Sequence, residues 1–348
     1  MNGPSVDESD LQIISALQEA PRASWAELAD ILQMGEDTLA SRWRKLSSNG
    51  LAWISLVDRQ NANGRTVTFV LLQVRVGKRS EVLEGILPHP EVLTIHCVSG
   101  ASSLVLLLET DGLAETESFI VGTLEQFEGI ASMQVLPAIG LITSGAHWRT
   151  AALTRAQRQA LSRLEPPVPD ERVDSAWVTR DPLARALQEE LAIDGRVGAS
   201  ALARKLTEEH GLATSSSTVT RKLTRLLQVP GIRVRCDVSA SDLGWQAVVL
   251  LWARVSSVEL AQLWADRASS AITVRRLLPE ARSMVVLAGP VNLHITAWLR
   301  TVEALPEFEA RLASWLTTIE VQERSVVFST AKRMGTPLHK GRRTSDSS

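Results

Sequence analysis

Two short windows of the chain gather hydroxyls and cations at spacings suited to a polyanion. Thr38, Ser41, Arg42, Arg44 and Lys45 lie between Asp37 and Asp58 with no acid among them. Ser216, Ser217, Thr218, Thr220, Arg221, Lys222 and Arg225 lie in a second acid-free window, from Glu209 to Asp237, that also holds Arg233 and Arg235. Cationic heads neutralise phosphates regardless of sequence, and Arg forks and small hydroxyls also reach base edges. Ser215 to Thr218 would open a helix, where free amides suit a phosphate oxygen. Glu36 and Asp37 hold that place in the first window; they would repel phosphate, and could instead accept from cytosine N4 or complement the helix dipole. A basic cluster alone is usually a solvated helix face, so the weight rests on the windows recurring at matching places.

Each window needs a helix to present it. Residues 9–20 carry Leu11, Ile14 and Leu17 on one face. Pro21-Arg22-Ala23 breaks that pattern, and Ser24-Trp25-Ala26-Glu27 forms a capping box for a helix with Leu28, Ile31 and Leu32. A turn at Met34-Gly35 leads to a third helix, with Leu39, Trp43 and Leu46 inward and the first window outward. Asn49-Gly50 ends it, and 51–57 follows as a strand or wing. The second window has the same setting: a helix over 181–192, Asp194-Gly195-Arg196, a helix with Leu202, Ala203 and Leu206, a longer turn, and a helix with Val219, Leu223 and Leu226. Three short helices with a turn between the last two describe a helix-turn-helix. A trihelical bundle that binds nothing has the same pattern.

The settings match because the chain repeats itself. Val70-Leu71-Leu72-Gln73-Val74-Arg75-Val76 returns as Val249-Leu250-Leu251-Trp252-Ala253-Arg254-Val255. The separation is 174 residues at Arg22/Arg196, 179 at Val70/Val249 and 189 at Gly100/Gly289, the drift of a duplication with small insertions. So long a period makes each copy a complete unit. Beyond each window the pattern is strand, helix, strand, strand, helix, strand: 66–76, 80–87, 92–99, 103–108, 113–127 and 130–142, then 247–256, 258–268, 282–288, 293–298, 302–316 and 319–329. That is the split βαβ, or ferredoxin-like, order.

Bulk properties exclude several classes. The 348 residues allow about two to three domains. A net charge of −2 gives no global attraction to nucleic acid, so any such binding is local. Two cysteines, Cys97 and Cys236, make no disulfide framework and no zinc spacing, and neither metal nor cofactor is expected. The six histidines, His89, His96, His147, His210, His294 and His339, are scattered, and no P-loop, HExxH or Gly-x-Ser-x-Gly occurs. No catalytic residue is assigned, and His96 and His294 read as structural or as pocket wall. Without a signal-peptide pattern or an apolar run near the roughly 18 residues of a membrane span, the expectation is a soluble cytoplasmic protein with no membrane partner.

The order of elements and particular residues resemble the leucine-responsive regulator (Lrp/AsnC) family of transcription factors. The residues that carry the resemblance are Asp7, Asp10, Arg22, Leu28-Ala29, Thr38-Leu39, Arg42, Leu46 and Gly50, and in copy two Arg196, Leu202-Ala203, Thr218-Val219, Lys222, Leu223 and Leu226. Copy two lacks the paired aspartates. The family's Gly-Asp-Tyr-Asp-Leu-like loop stands as Gly100-Ala101-Ser102-Ser103-Leu104 and Gly289-Pro290-Val291-Asn292-Leu293, with Gly and Leu kept and the acids lost. The resemblance implies an α+β chain of two winged helix-turn-helix domains and two ferredoxin-like (RAM/ACT-like) domains in tandem. Their bounds would be 5–60 and 64–143, a linker at 144–180 with Pro166-Pro167-Val168-Pro169 as semi-rigid spacer, 181–240 and 244–332, and a disordered basic tail over 333–348.

What the resemblance implies is a regulator that binds double-stranded DNA, with Arg22 and Arg196 joining the two windows as DNA contacts. It also implies homo-oligomers formed through the ferredoxin-like domains and an effector, an amino acid or related metabolite, held near Gly100, Ser102, Ser103, Gly289 and Asn292. A fused pseudo-dimer with unequal recognition helices would prefer an asymmetric operator. The alternative is a metabolite-sensing or partner-binding module whose helix-turn-helix has lost specific DNA binding.

Overall fold

Local signals set the first helices. The computed structural model describes residues 6–58, 65–145, 148–150, 152–164, 170, 172–173 and 176–344. Asp7 and Asp10 form a capping box that starts α1 (Glu8–Glu19). Ser24 and Glu27 form the expected one at α2 (Trp25–Leu32), and α3 (Glu36–Ser48) buries Leu39, Trp43 and Leu46. Then come β1 (Ala52–Asp58), β2 (Thr66–Val74), α4 (Arg79–Ile86), β3 (Val92–Val98), β4 (Leu104–Thr110), α5 (Leu113–Gly122) and β5 (Ile130–Thr143). Between the copies lie α6 (Arg155–Leu161) and α7 (Ala176–Arg180). The Pro-rich spacer falls outside the described residues.

Copy two runs α8 (Pro182–Ile193), α9 (Ala199–Glu208), α10 (Ser216–Leu226), β6 (Ile232–Val238), β7 (Ala247–Arg254), α11 (Ser257–Ala265), α12 (Arg267–Leu277), β8 (Ala281–Leu287), β9 (Leu293–Leu299), α13 (Leu305–Trp315) and β10 (Glu320–Arg333). The helix expected over 258–268 is thus two helices broken at Asp266. Copy one has only α4 between its first two strands, so α12 accounts for the growth in repeat spacing from 179 to 189. The tail is not disordered as far as residue 344. It turns at Met334-Gly335 into β11 (Thr336–His339) and at Lys340-Gly341 into β12 (Arg342–Arg343), all four turn residues having positive φ. Such pairs match the twist of a two-residue hairpin, and Arg342 holds Asp242 through two bonds of 3.0 and 2.7 Å. Residues 345–348 lie outside the described residues.

Contacts between copies, not chain order, define the compact units. Segments 1–64 and 149–239 form one, and 65–148 with 240–344 the other. In the first, the strand or wing expected over 51–57 forms as β1, and its strand partner is β6 of the other copy, antiparallel, from Ala52 opposite Val238 to Asp58 opposite Ile232. Trp177 and Val178 of α7 join Leu187, Leu202, Val219 and Leu226 in the core of the second trihelical bundle. The described linker residues from 149 to 180 therefore belong to this unit.

In the second unit eight strands close into an antiparallel ring, in the order β3-β4-β2-β5-β8-β9-β7-β10 and back to β3. The two long strands join the copies. β5 pairs with β2 as far as Pro137 and, from Ala138 on with a bulge at Ile139, with β8 of the other copy. β10 pairs with β7 as far as Val327 and, from Val327 on with a bulge at Phe328, with β3. Alternation sorts the side chains: Val70 and Leu72 pack under the helices, while Phe69 and Leu71 meet Leu250, Trp252, Val285 and Leu287 inside the ring.

Candidate nucleic-acid interface

The outward faces of α3 and α10 carry the expected polyanion contacts, but not all of them are available. Thr38, Ser41, Arg44 and Lys45 are exposed on α3, as are Ser216, Ser217, Thr220, Arg221 and Arg225 on α10. Ser215 caps α10 through the Thr218 amide at 3.2 Å, so its hydroxyl stands at the helix end where a phosphate would sit. The Arg225 guanidinium lies 4.4 Å over the Trp177 ring, which stiffens it while leaving it in solvent.

Four cations expected at this face are engaged elsewhere. Arg42 bonds Asp7 at 2.8 Å and Asp10 at 2.9 Å, tying α3 to the start of α1. The Asp10 amide and then Arg42 hold the Asp7 carboxyl below its ordinary value. Lys222, the counterpart of Arg42, bonds Asp181, the cap of α8. Burial would raise the Asp181 carboxyl, but Lys222 and the Ala184 and Leu183 amides outweigh it and lower it. Copy two thus keeps one of the two aspartates, a match hidden by the change of the second to Ala184. Arg22 and Arg196, also expected to touch DNA, turn to the junction of the two helix-turn-helix motifs. Arg22 donates to the Gly195 carbonyl and, at 3.1 Å, to that of Val197. Arg196 donates to Pro21 at 2.7 Å and Ala23 at 2.8 Å. Their positions before a helix start could not reveal this, because the partners lie in the other copy. Within the basic window of copy two, Arg235 is also lost, buried against Asp237 at 2.6 Å.

The two Gly loops lie on strands from the opposite copy. A Cβ on Gly100, at φ +99°, would stand 2.8 Å from Glu323 Oε1 of β10, and one on Gly289 would stand 2.9 Å from Leu136 of β5. Two of the expected effector residues serve the strands instead. Ser103 accepts the Val74 amide at 3.2 Å. Asn292 brackets Val255, accepting its amide at 2.9 Å and donating to its carbonyl at 2.8 Å. Gly100 and Gly289 are exposed and Ser102 is half-buried.

Inside the ring His294 is 1% exposed, its ring 4.5 Å from Phe69 and 4.2 Å from Trp252. Burial, with His96 nearby, holds it down to about 3. His96 shares a 2.9 Å bond with Thr330 Oγ1, and burial beside Arg333 holds it down to about 3 as well. Among the described residues no group of three or more His, Cys, Asp or Glu could hold a metal ion, and no helix is long and apolar enough to cross a membrane.

Residues 6–47 match the AsnC-type helix-turn-helix domain. An uncharacterized HTH-type transcriptional regulator of Pyrococcus furiosus is 30% identical over 145 residues, covering 41% of this chain and 95% of that protein. The HTH-type transcriptional regulator FL11 of Pyrococcus horikoshii is 29% identical over 135 residues, 38% of this chain and 89% of that one. Each relative is thus matched over nearly its whole length by less than half of this chain. End to end, the fold is similar to that of the siroheme decarboxylase NirDL, with a TM-score of 0.55 over 94% of this chain and 93% of that one, at 13% identity. At that identity the likeness is one of fold.

Proposed function

Because this chain belongs to the Lrp/AsnC family of helix-turn-helix transcriptional regulators, we propose that it is a sequence-specific DNA-binding regulator in which one chain does the work of a dimer. The observation that carries this reading is the pairing of β1 with β6, which joins two helix-turn-helix motifs, each with an outward third helix, in one unit. Thr38, Ser41, Arg44 and Lys45 on α3 and Ser216, Ser217, Thr218, Thr220, Arg221 and Arg225 on α10 make the contacts. The two sets differ, so the preferred operator has unequal half-sites. Selection from random duplexes should yield such a site, and a perfect inverted repeat would refute the unequal reading. On the selected site, Arg44→Ala or Arg221→Ala should weaken binding and lower the salt slope by about one each.

The ring is the regulatory part and carries no catalysis in this reading. The Glu323 carboxylate beside the Gly100 loop replaces the acids the loop itself has lost, whereas Leu136 faces the Gly289 loop. An amine-bearing effector such as an amino acid is therefore held at the Gly100 loop alone.

One observation favours a second reading, in which the ring binds a metabolite and the helix-turn-helix motifs read no DNA: two histidines lie inside the ring, His294 buried and His96 half-buried. Salt-insensitive or absent DNA binding, with a saturable absorbance change on titration with an iron tetrapyrrole, would favour that reading. Steep salt dependence with no spectral change supports the regulator.

A further inference from the structure

The junction between the two helix-turn-helix motifs obeys a reciprocal rule. Arg22 grips the carbonyls of Gly195 and Val197, the residues flanking Arg196. Arg196 grips the carbonyls of Pro21 and Ala23, the residues flanking Arg22. All three pairs of equivalents, Pro21/Gly195, Arg22/Arg196 and Ala23/Val197, are separated by the 174 residues of the repeat. Both arginines are half-buried, and their guanidiniums repel each other while sharing Asp194 as counter-charge. Arg196 also lies 4.1 Å over the Trp25 ring of the other copy. Two like charges are held together by geometry that only a planar fork with two donors on one side can satisfy. The close fit continues in the backbone: Gly195 donates to the Ile54 carbonyl at 2.8 Å, and a Cβ on Gly195 would stand 2.6 Å from Ile54 Cγ2.

The place of these bonds gives them a consequence for reading DNA. Ala23 precedes Ser24, the cap of α2, and Val197 precedes Gly198, the cap of α9. The four bonds therefore fix the start of α2 against the start of α9, and α3 and α10 pack on those helices. We propose that Arg22 and Arg196 are positioning residues that gauge half-site spacing: by locking the two motifs they fix the separation and rotation of α3 and α10, and so select operators by the distance between half-sites, without touching DNA. This inference rests on the reading of the chain as a DNA-binding regulator.

The test uses the full chain and the duplex selected from a random library, with derivatives in which the half-sites are moved apart by about 5 base pairs, half a helical turn. The unaltered protein should bind the half-turn derivative about 100-fold more weakly than the selected duplex, because its second helix can no longer meet its groove. In Arg22→Lys/Arg196→Lys, which keeps both charges and loses the forks, that ratio should fall below about tenfold, since a loosened junction lets the second helix reach a displaced half-site. Affinity for an isolated half-site and the salt slope should stay unchanged; a lost phosphate contact would lower the slope by about one. Should the double variant not fold, as judged by tryptophan fluorescence on heating, the single Lys variants decide, each expected to relax the ratio partway. An undiminished ratio in the folded variants overturns the proposal, as does a fall in salt slope with the ratio intact. An unaltered protein that binds no duplex refutes the underlying DNA-binding reading instead.

Discussion

At the scale of single residues, burial decides what a titratable group can do, and His294, read from the sequence as structural or as pocket wall, shows how this can be measured. Its ordinary value is 6.5 and burial lowers it to about 3. The unfolded chain therefore takes up a proton in this range that the native ring refuses. The stability contributed by neutral His294 is complete above pH 6.5 and is lost as the pH falls toward 3. His294→Phe, which suits the aromatic site, should flatten the dependence of the denaturation midpoint over that range; an unchanged slope would show that His294 is not held neutral. Glu323 is the complementary case, a carboxylate left beside the exposed Gly100. Free amino acids should raise the melting temperature by mass action, and Glu323→Gln should remove the rise; equal shifts in both proteins would place the effector elsewhere. Little of this could be read in sequence. The hydroxyls and cations of α3 and α10 were visible as types, but whether Arg44 is free and Arg42 tied depends on where the Asp7 cap lies in space.

At the scale of elements, helix periodicity and capping were largely legible. The Ser24–Glu27 box starts α2, and the inward stripes of α3 and α10 are those the spacing predicts. What was not legible were partners in the other copy. β1 was expected as a strand or wing, but a strand's own alternation does not name its neighbour, and β6 went unrecognised beneath Arg233 and Arg235. The tail looked disordered because composition outweighed two short turn signals, Met334-Gly335 and Lys340-Gly341. Close contact between copies also explains Gly140, where a Cβ would stand 2.2 Å from the Trp264 ring of α11. Gly140→Ala should force that ring aside and destabilise the protein by about 1–3 kcal/mol. A denaturant midpoint equal to that of the unaltered protein would show that the ring moves freely.

At the scale of the whole molecule, the duplication was plain in the sequence and its mode of assembly was not. Repeated segments such as 70–76 and 249–255 establish two copies. Only the exchange of β5 and β10 makes each copy incomplete without the other. A fragment ending after β5 would leave the far half of β5 and the outer side of β3 without partners, and exposed strand edges recruit other chains. Such a fragment should self-associate in light scattering, forming dimers or larger species; a stable monomer would mean that copy one closes by itself.

The ring closure also sets a timetable. β3, at Val92–Val98, waits for the second half of β10, which ends at Arg333. At ribosomal speeds of about 5–20 residues per second, that gap is on the order of 10–50 s, during which the first half of the nascent chain stays open-edged. Closure of the ring is therefore tied to the synthesis of β10, and crowded translation of one message is when its chains are most exposed to one another.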